Sequence, residues 1–316
     1  MNLMFLFNSG KNVKLFYFIK EILRDHTPRI FFRKFDSYLE EARRRPDFAQ
    51  IMERVRYYCK QPGAPLGPDT VAVRDLDRHS CQSTYYYDVK HATTPFPEDI
   101  RINFLPGDIT HVPPCPAFVK SRPVHGDNAN SVILKFNRIR HFIRVNDRVP
   151  FSGKADMAVF RGKVPGKPKR ARFFEMYYDH PLADLGDSQC SGTPWDKPKM
   201  TISEQLRYKF ILSIEGNDVA SNLKWVMGSG SVAVMPQPEF ETWFMEGRLV
   251  PEKHYIEIDR DFSDFPEKIE WYIRHPEAAR KIVRQANEYC TEFYDSRRER
   301  IIEVLTVGAY LGLLDH

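Results

Sequence analysis

Residues 210–235 read FILSIEGNDVASNLKWVMGSGSVAVM, and this stretch decides the fold. Phe210–Glu215 is an unbroken apolar run, the pattern of a parallel strand covered on both faces. Gly216-Asn217-Asp218 then turns the chain into a helix predicted over Ser221–Gly228, and Ser231–Met235 forms a second buried strand. Downstream, Phe240–Met245 reads as helical, His254–Ile258 as a third strand, and the chain from Phe265 to Leu314 as at least two helices. Upstream, Asp156–Phe160 is a further buried strand that stops at Arg161-Gly162. Arg172–Tyr177 fits either helix or strand, Leu182–Lys199 is polar enough for a loop, and Thr201-Ile-Ser-Glu204 is a capping box. Strands alternating with helices in this way predict an α/β, doubly wound parallel sheet.

The first half is less regular. Lys14–Arg24 places apolar residues at helical spacing, and Asp36–Ala42 and Pro46–Cys59 continue as helices. Gln61–Asp69 is a Pro/Gly loop, Thr70–Arg74, Thr84–Val89 and Ser131–Phe136 read as strands, and the proline-rich segments 93–99 and 105–122 read as irregular. The chain has 316 residues, 42% hydrophobic and 28% charged, which excludes a disordered polymer. No run nears the ~20 apolar residues of a bilayer-spanning helix. Met1–Phe7 is too short for a signal core, so a cytoplasmic location is expected. Five cysteines without a CxxC spacing argue against a disulfide framework or zinc site and fit reduced thiols in or near the core. The net charge of +5 and pI of 8.8 do not suggest a dedicated nucleic-acid binder. The basic clusters at 29–45, 138–148 and 163–172 instead suit a phosphate-bearing partner.

In an open parallel sheet, ligands sit beyond the carboxyl ends of the strands, often at a helix start. Here those ends are Arg161-Gly162, Glu215-Gly216-Asn217-Asp218 and Pro236-Gln237-Pro238. Free N–H groups at Ser221–Lys224 would favour a phosphate, with Arg161 and Lys224 as cations. The same residues also suit an ordinary structural turn. There is no Walker A sequence and no GxGxxG.

Several blocks together resemble glycosyltransferase family 90. They are Tyr208–Gly216, Val219-Ala-Ser221, Gly230–Val234, Leu249-Val-Pro251 with His254-Tyr255, Asp261–Asp264, Phe160-Arg161-Gly162, and Gly107-Asp108-Ile-Thr-His111 with Phe118–Pro123. The resemblance covers residues 100–290, and Thr27–Arg33 looks closer to the bacterial lipopolysaccharide branch than to the eukaryotic protein O-glucosyltransferases. It implies a GT-B fold of two Rossmann-like domains facing a cleft. It also implies a UDP-sugar co-substrate with no other cofactor, inversion at the anomeric carbon, and no bound metal. Asp259-Arg-Asp261 is formally a D-x-D, read here as a turn and helix cap.

By position, Asp108 matches the family's catalytic base. It fits a turn cap as well, and His111 is the alternative base. Arg161, Gly162, Arg172, Gly216, Asn217, Asp218, Ser221 and Lys224 are the donor-side residues. Where eukaryotic members carry Ser-x-Arg at the helix start, this chain has Ser221-Asn222-Leu223, so Lys224 or Arg161 with Arg172 would supply the charge. Glu239 and Glu241 suit ribose hydroxyls or a solvated first helical turn. Lys120 and Arg122 suit the acceptor or the phosphate. Trp225 and Trp243 read as core or domain interface, and Trp271 as core. The expected division is an acceptor-side domain of 1–155 plus 295–316 and a nucleotide-sugar domain of 156–294.

The partners implied are a nucleotide-sugar donor and a glycan or lipid-linked glycan acceptor, without nucleic acid. Basic and aromatic residues at the N-terminus (Phe16, Tyr17, Phe18, Arg29, Phe31, Phe32, Arg33, Lys34, Arg43–Arg45) suit peripheral contact with an inner-membrane surface, or else an ordinary helix pair with solvated charge. The leading expectation is a transferase acting on a lipopolysaccharide core. A protein acceptor and a non-catalytic sugar- or nucleotide-binding module are the alternatives.

Overall fold

A computed structural model of the chain describes residues 14–314, so the Met1–Phe7 segment lies outside the described residues. The helices are α1 (Lys14–Asp25), α2 (Phe35–Arg44), α3 (Phe48–Tyr58), α4 (Ser83–Ala92), α5 (Arg138–His141), α6 (Pro168–Tyr177), α7 (Ile202–Gln205), α8 (Leu223–Met227), α9 (Phe265–Arg274), α10 (Pro276–Thr291) and α11 (Ser296–Tyr310). The strands are β1 (Val71–Ala72), β2 (Arg101–Ile102), β3 (Ala117–Val119), β4 (Arg122–Pro123), β5 (Ser131–Ile133), β6 (Ala155–Gly162), β7 (Ala183–Asp187), β8 (Tyr208–Leu212), β9 (Val232–Met235), β10 (Phe240–Glu241) and β11 (Ile256–Glu257). The described residues form two compact units. One comprises Arg140–Pro238 and Gly247–Glu292, and the other comprises Lys14–Ile139, Glu239–Glu246 and 293–314.

The first of these units is built on a five-stranded, all-parallel sheet in the order β11-β9-β8-β6-β7. Numbered by their order in the chain, its strands run 2-1-3-4-5 from the β7 edge, a doubly wound order whose topological switch point lies between β6 and β8. Val159 pairs with Ile211 across that junction, and Ile211 with Ala233 on the other side. The core joins Phe160, Phe210, Leu212 and Val234 to Phe173, Phe174 and Tyr177 of α6 and to Phe265 and Ile269 of α9. The Phe173 ring meets Phe262 at 5.2 Å and Phe265 at 4.9 Å, both edge-on. Burying each such ring is worth roughly 2–3 kcal/mol.

The other unit has no comparable sheet among the described residues. Its strands occur as three pairs: β1–β2, β4–β10 and the parallel β3–β5. Its core is helical. All but four residues of α11 are buried, and Asp295 caps its start by accepting from the Arg297 and Arg298 N–H groups. Gly308 of α11 admits the Phe35 ring so closely that a Cβ there would collide with it. Glu299 and Glu303 are buried on this helix and compensated. Glu299 accepts from Arg54 at 2.5 Å, Lys135 at 3.0 Å and the Trp243 indole at 2.6 Å, and Glu303 pairs with Arg138 and Arg300. Burial acts to raise the Glu299 carboxyl, but these cations outweigh it and hold it at about 2.

Several expectations are corrected. Thr84–Val89 lies within helix α4, not a strand: its tyrosines are buried, and Asp88 at its centre is met by Tyr17 and by the Arg138 N–H. The segment 182–199 contains the edge strand β7. The helix predicted over Ser221–Gly228 is the five-residue α8, because the Asn222 side chain leaves the helix start to donate to Leu212 O at 2.9 Å. Phe240–Met245 is a strand followed by a turn at Met245 (φ 55°). Trp271 is exposed and stacks on His275 at 4.1 Å, and Cys190 is exposed. The Thr201–Glu204 capping box is present, all five cysteines are free, and Asp261 closes the turn it was assigned by accepting from Ser263.

Candidate functional site

The switch point is occupied by a residue that the spacing argument passed over. Arg170, on α6, donates through Nε and Nη2 to Ile214 O at 3.1 and 3.0 Å and through Nη1 to Lys163 O at 3.0 Å. It therefore ties the chain just beyond β8 to the chain just beyond β6. Its guanidinium lies over the Phe160 ring at 5.2 Å. Gly216 lets it pass, since a Cβ there would stand 3.0 Å from Nη2. Burial, and then the neighbouring Arg140, depress Arg170 to about 10. The place thus holds a cation at an electrostatic cost that a bound anion would relieve.

Helical periodicity could have found Arg170. It stands three, four and seven residues before the buried Phe173, Phe174 and Tyr177, so it shares their inward face. The predicted Arg172 lies off that face and is exposed.

The remaining predicted donor residues cluster at the same strand ends, with mixed fates. Arg161 is turned along the sheet, where Nη1 donates to Asp184 O and Nη2 to Asp184 Oδ1, both at 2.8 Å. Asp184 also accepts from the Tyr208 hydroxyl at 2.6 Å and from Lys197 at 3.1 Å. Burial works to raise this carboxyl, and those donors win, holding it below the usual carboxylate range. Gly162 fits against the Phe160 ring. Gly216 N–H donates to Asp218 O at 3.1 Å, and Asn217 accepts from Lys167. Asp218 and Lys224 are buried, and Ser221 is half-buried. Because α8 is barely one turn, its dipole adds little to this end of the sheet.

In the other unit, Asp108 projects from the loop after Gly107 (φ 107°) and pairs with the buried ammonium of Lys120. The Ser121 hydroxyl donates to Ile109 O at 3.0 Å and ties the same loop to the strand region. His111 is exposed three residues on. Asp108 is a partly exposed carboxylate on a fixed loop, with a buried cation behind it.

Arg122, expected at the acceptor or the phosphate, and Glu241, expected at ribose hydroxyls or in a solvated helical turn, are one buried pair. They face each other in the β4–β10 register, and Arg122 Nε donates to Glu241 Oε1 at 2.7 Å. Arg122 also donates to Ser131 O and Tyr57 O, and the Tyr57 hydroxyl donates to Glu241. Glu239 O accepts the Val124 N–H at 2.9 Å. Both acids thus belong to the unit of Asp108. Among the described residues, no three His, Cys, Asp or Glu side chains are grouped to hold a metal ion.

A family model described as Glycosyl transferase family 90 matches residues 129–298, which include the switch point and leave Asp108 outside. The chain is 40% identical over 270 residues to O-glucosyltransferase LpsA of Dichelobacter nodosus, covering 84% of both chains. It is 28% identical over 151 residues to Protein O-glucosyltransferase 3 of Homo sapiens, spanning 45% of this chain and 29% of that one. With Protein O-glucosyltransferase 2 of Danio rerio it shares 30% identity over 83 residues, or 26% of this chain and 16% of that one.

Proposed function

Since this chain belongs to glycosyltransferase family 90, we propose that it moves a hexose, with glucose the first choice, from a UDP-sugar to a hydroxyl of a lipopolysaccharide core or related glycan. The observation that carries the reading is Arg170 at the switch point, a desolvated cation among strand ends. Breaking the bond between the anomeric carbon and the diphosphate oxygen leaves negative charge on UDP, and donors fixed in advance stabilise that charge most. In this reading Arg170 meets the diphosphate, and Gly216 lets the UDP and the guanidinium approach the backbone closely. The acceptor oxygen attacks the anomeric carbon from the opposite face, its new C–O bond forms as the old one breaks, and Asp108 takes its proton. The configuration inverts. Lys120 fixes the Asp108 carboxylate.

The GT-B reading assigns donor binding to the unit of Arg140–Pro238 and Gly247–Glu292 and acceptor activation to the unit of Asp108. No metal is called for in this scheme. A lipid-linked acceptor would bring the enzyme to the cytoplasmic face of a membrane as a peripheral protein.

The test is UDP release from a panel of UDP-sugars, with and without EDTA, in the presence of lipopolysaccharide-core oligosaccharide. Release with one preferred donor that persists in EDTA supports the proposal. Release abolished by EDTA refutes the metal-independent scheme, and no release with any donor alongside tight UDP binding points to a non-catalytic module. The relatives named protein O-glucosyltransferases favour a second reading, a protein hydroxyl as acceptor. Folded protein domains in place of the oligosaccharide separate the two.

A further inference from the structure

Helix α1 is mounted inside out. At about 100° per residue, Leu15, Phe16, Ile19 and Leu23 share one arc of the helix and Tyr17, Glu21, Arg24 and Asp25 the opposite one. A surface helix normally buries the apolar arc. Here the polar arc is the one held inward. The Tyr17 hydroxyl donates to Asp88 Oδ1 at 2.7 Å, the Tyr86 hydroxyl to Asp25 Oδ2 at 3.0 Å, and Arg24 bridges Glu21 and His91. The facing surface of α4 is itself polar, with Asp88, Lys90 and His91, so it selects the polar arc.

The apolar arc is left outward: Leu15 is 63% exposed, Phe16 66%, Ile19 48% and Leu23 65%. The turn that follows adds Ile30 at 84% and Phe31 at 76%. The structure thus divides the aromatics of this region, since Phe16 and Phe31 face out while Tyr17, Phe18 and Phe32 are partly covered.

We propose that this face, Leu15, Phe16, Ile19, Leu23, Ile30 and Phe31, seats the protein on an anionic phospholipid bilayer. Charge selects that occupant. Every exposed Lys, Arg, Asp or Glu from α1 to the residue before α2 is basic, namely Lys14, Lys20 and Lys34, whereas the acids Glu21 and Asp25 are turned inward and the next exposed acid is Asp36 in α2. Lys20 borders the apolar arc, so a second copy docked face to face would set it against its own counterpart, while an anionic headgroup layer would neutralise it. Among the described residues no helix is long and apolar enough to cross a membrane, so the seat is interfacial. The inference deepens the reading of a lipid-linked acceptor, but its measurement needs no sugar donor. Sedimentation without sugar transfer would keep the face and lose the enzyme reading, and transfer without sedimentation the reverse.

The experiment is co-sedimentation of the full chain with phosphatidylglycerol/phosphatidylethanolamine vesicles against phosphatidylcholine vesicles, at low and high salt. The anionic vesicles are expected to bind about tenfold more tightly, with the excess lost at high salt. Leu15→Ser/Ile19→Ser/Leu23→Ser and, separately, Ile30→Ser/Phe31→Ser should each weaken binding about tenfold with an unchanged circular dichroism spectrum. Absence of binding overturns the proposal, as does binding that survives both sets of substitutions. So does a wild-type dimer in gel filtration that the same substitutions disperse.

Discussion

Replacing Arg170 by methionine separates its two contributions. Methionine keeps much of the stem that packs on Phe160 and removes the guanidinium with its three donated bonds to Ile214 O and Lys163 O. At roughly 1–1.5 kcal/mol each, those bonds are worth about 3–4 kcal/mol. Against them stands the cost of the half-buried, desolvated charge. Arg170 is lowered from the ordinary guanidinium value to about 10, which corresponds to about 3 kcal/mol against the cation. A base with a depressed folded value destabilises the fold at every pH below that value, and the penalty is relieved only as pH rises from about 10 towards 12.5. At neutral pH the two effects nearly cancel, so Arg170→Met should melt within a few degrees of wild type. UDP binding should not be so tolerant. Losing a charge-assisted contact to the diphosphate costs about 1.5–3 kcal/mol, or about 10- to 150-fold in Kd. Isothermal titration of UDP in EDTA measures this directly. A folded Arg170→Met protein that binds UDP within about twofold of wild type would remove Arg170 from the donor site and sink the reasoning.

Asp108→Asn should lower turnover by about 100-fold or more while leaving UDP affinity nearly unchanged, and undiminished turnover would exclude Asp108 as the base. Glu299 has a folded value of about 2 against an ordinary 4.5, so its stabilisation is complete above pH 4.5 and drains away between about 4.5 and 2. Glu299→Gln removes the buried carboxylate that Arg54 and Lys135 both meet, so it should cost about 3–5 kcal/mol at neutral pH and flatten the acid limb of a pH–stability curve. Gly308→Ala drives a methyl into Phe35 and should cost about 1–3 kcal/mol in urea unfolding, partly recovered by Phe35→Leu in the same chain.

What could be read from the residues follows their local physics. Phe210–Leu212 and Val232–Met235 announce themselves as strands because a doubly covered parallel strand must be apolar throughout. β7 does not, because an edge strand reading Ala-Asp-Leu-Gly-Asp carries Asp184 as an anchor for Arg161, Lys197 and Tyr208. Tyr85, Tyr86 and Tyr87 are good strand formers, yet burial against neighbouring helices makes them helical, a tertiary effect that overrides propensity. At the candidate site the glycine turn was visible, and Arg170 was within reach of helical periodicity. The Arg122–Glu241 pair was not, since its members are 119 residues apart and only the β4–β10 register brings them together. The buried Glu299 and Glu303 were invisible for the same reason, because their cationic partners come from residues 54, 135 and 138.

The near-complete burial of α11 has a consequence for biosynthesis. This helix lies about 240 residues after α2 and α3 in the sequence, yet it completes the core that they begin. While the polypeptide is being made, that early half lacks Glu299 and Glu303, which Arg54, Lys135 and Arg138 meet in the folded protein, and the Gly308 backbone that packs on Phe35. It can close only after residues 296–310 have been translated. A premature stop shortly before residue 296 would therefore damage the unit of Lys14–Ile139 more than the unit of the parallel sheet, and holding chaperones should engage the nascent amino-terminal half until α11 has been made.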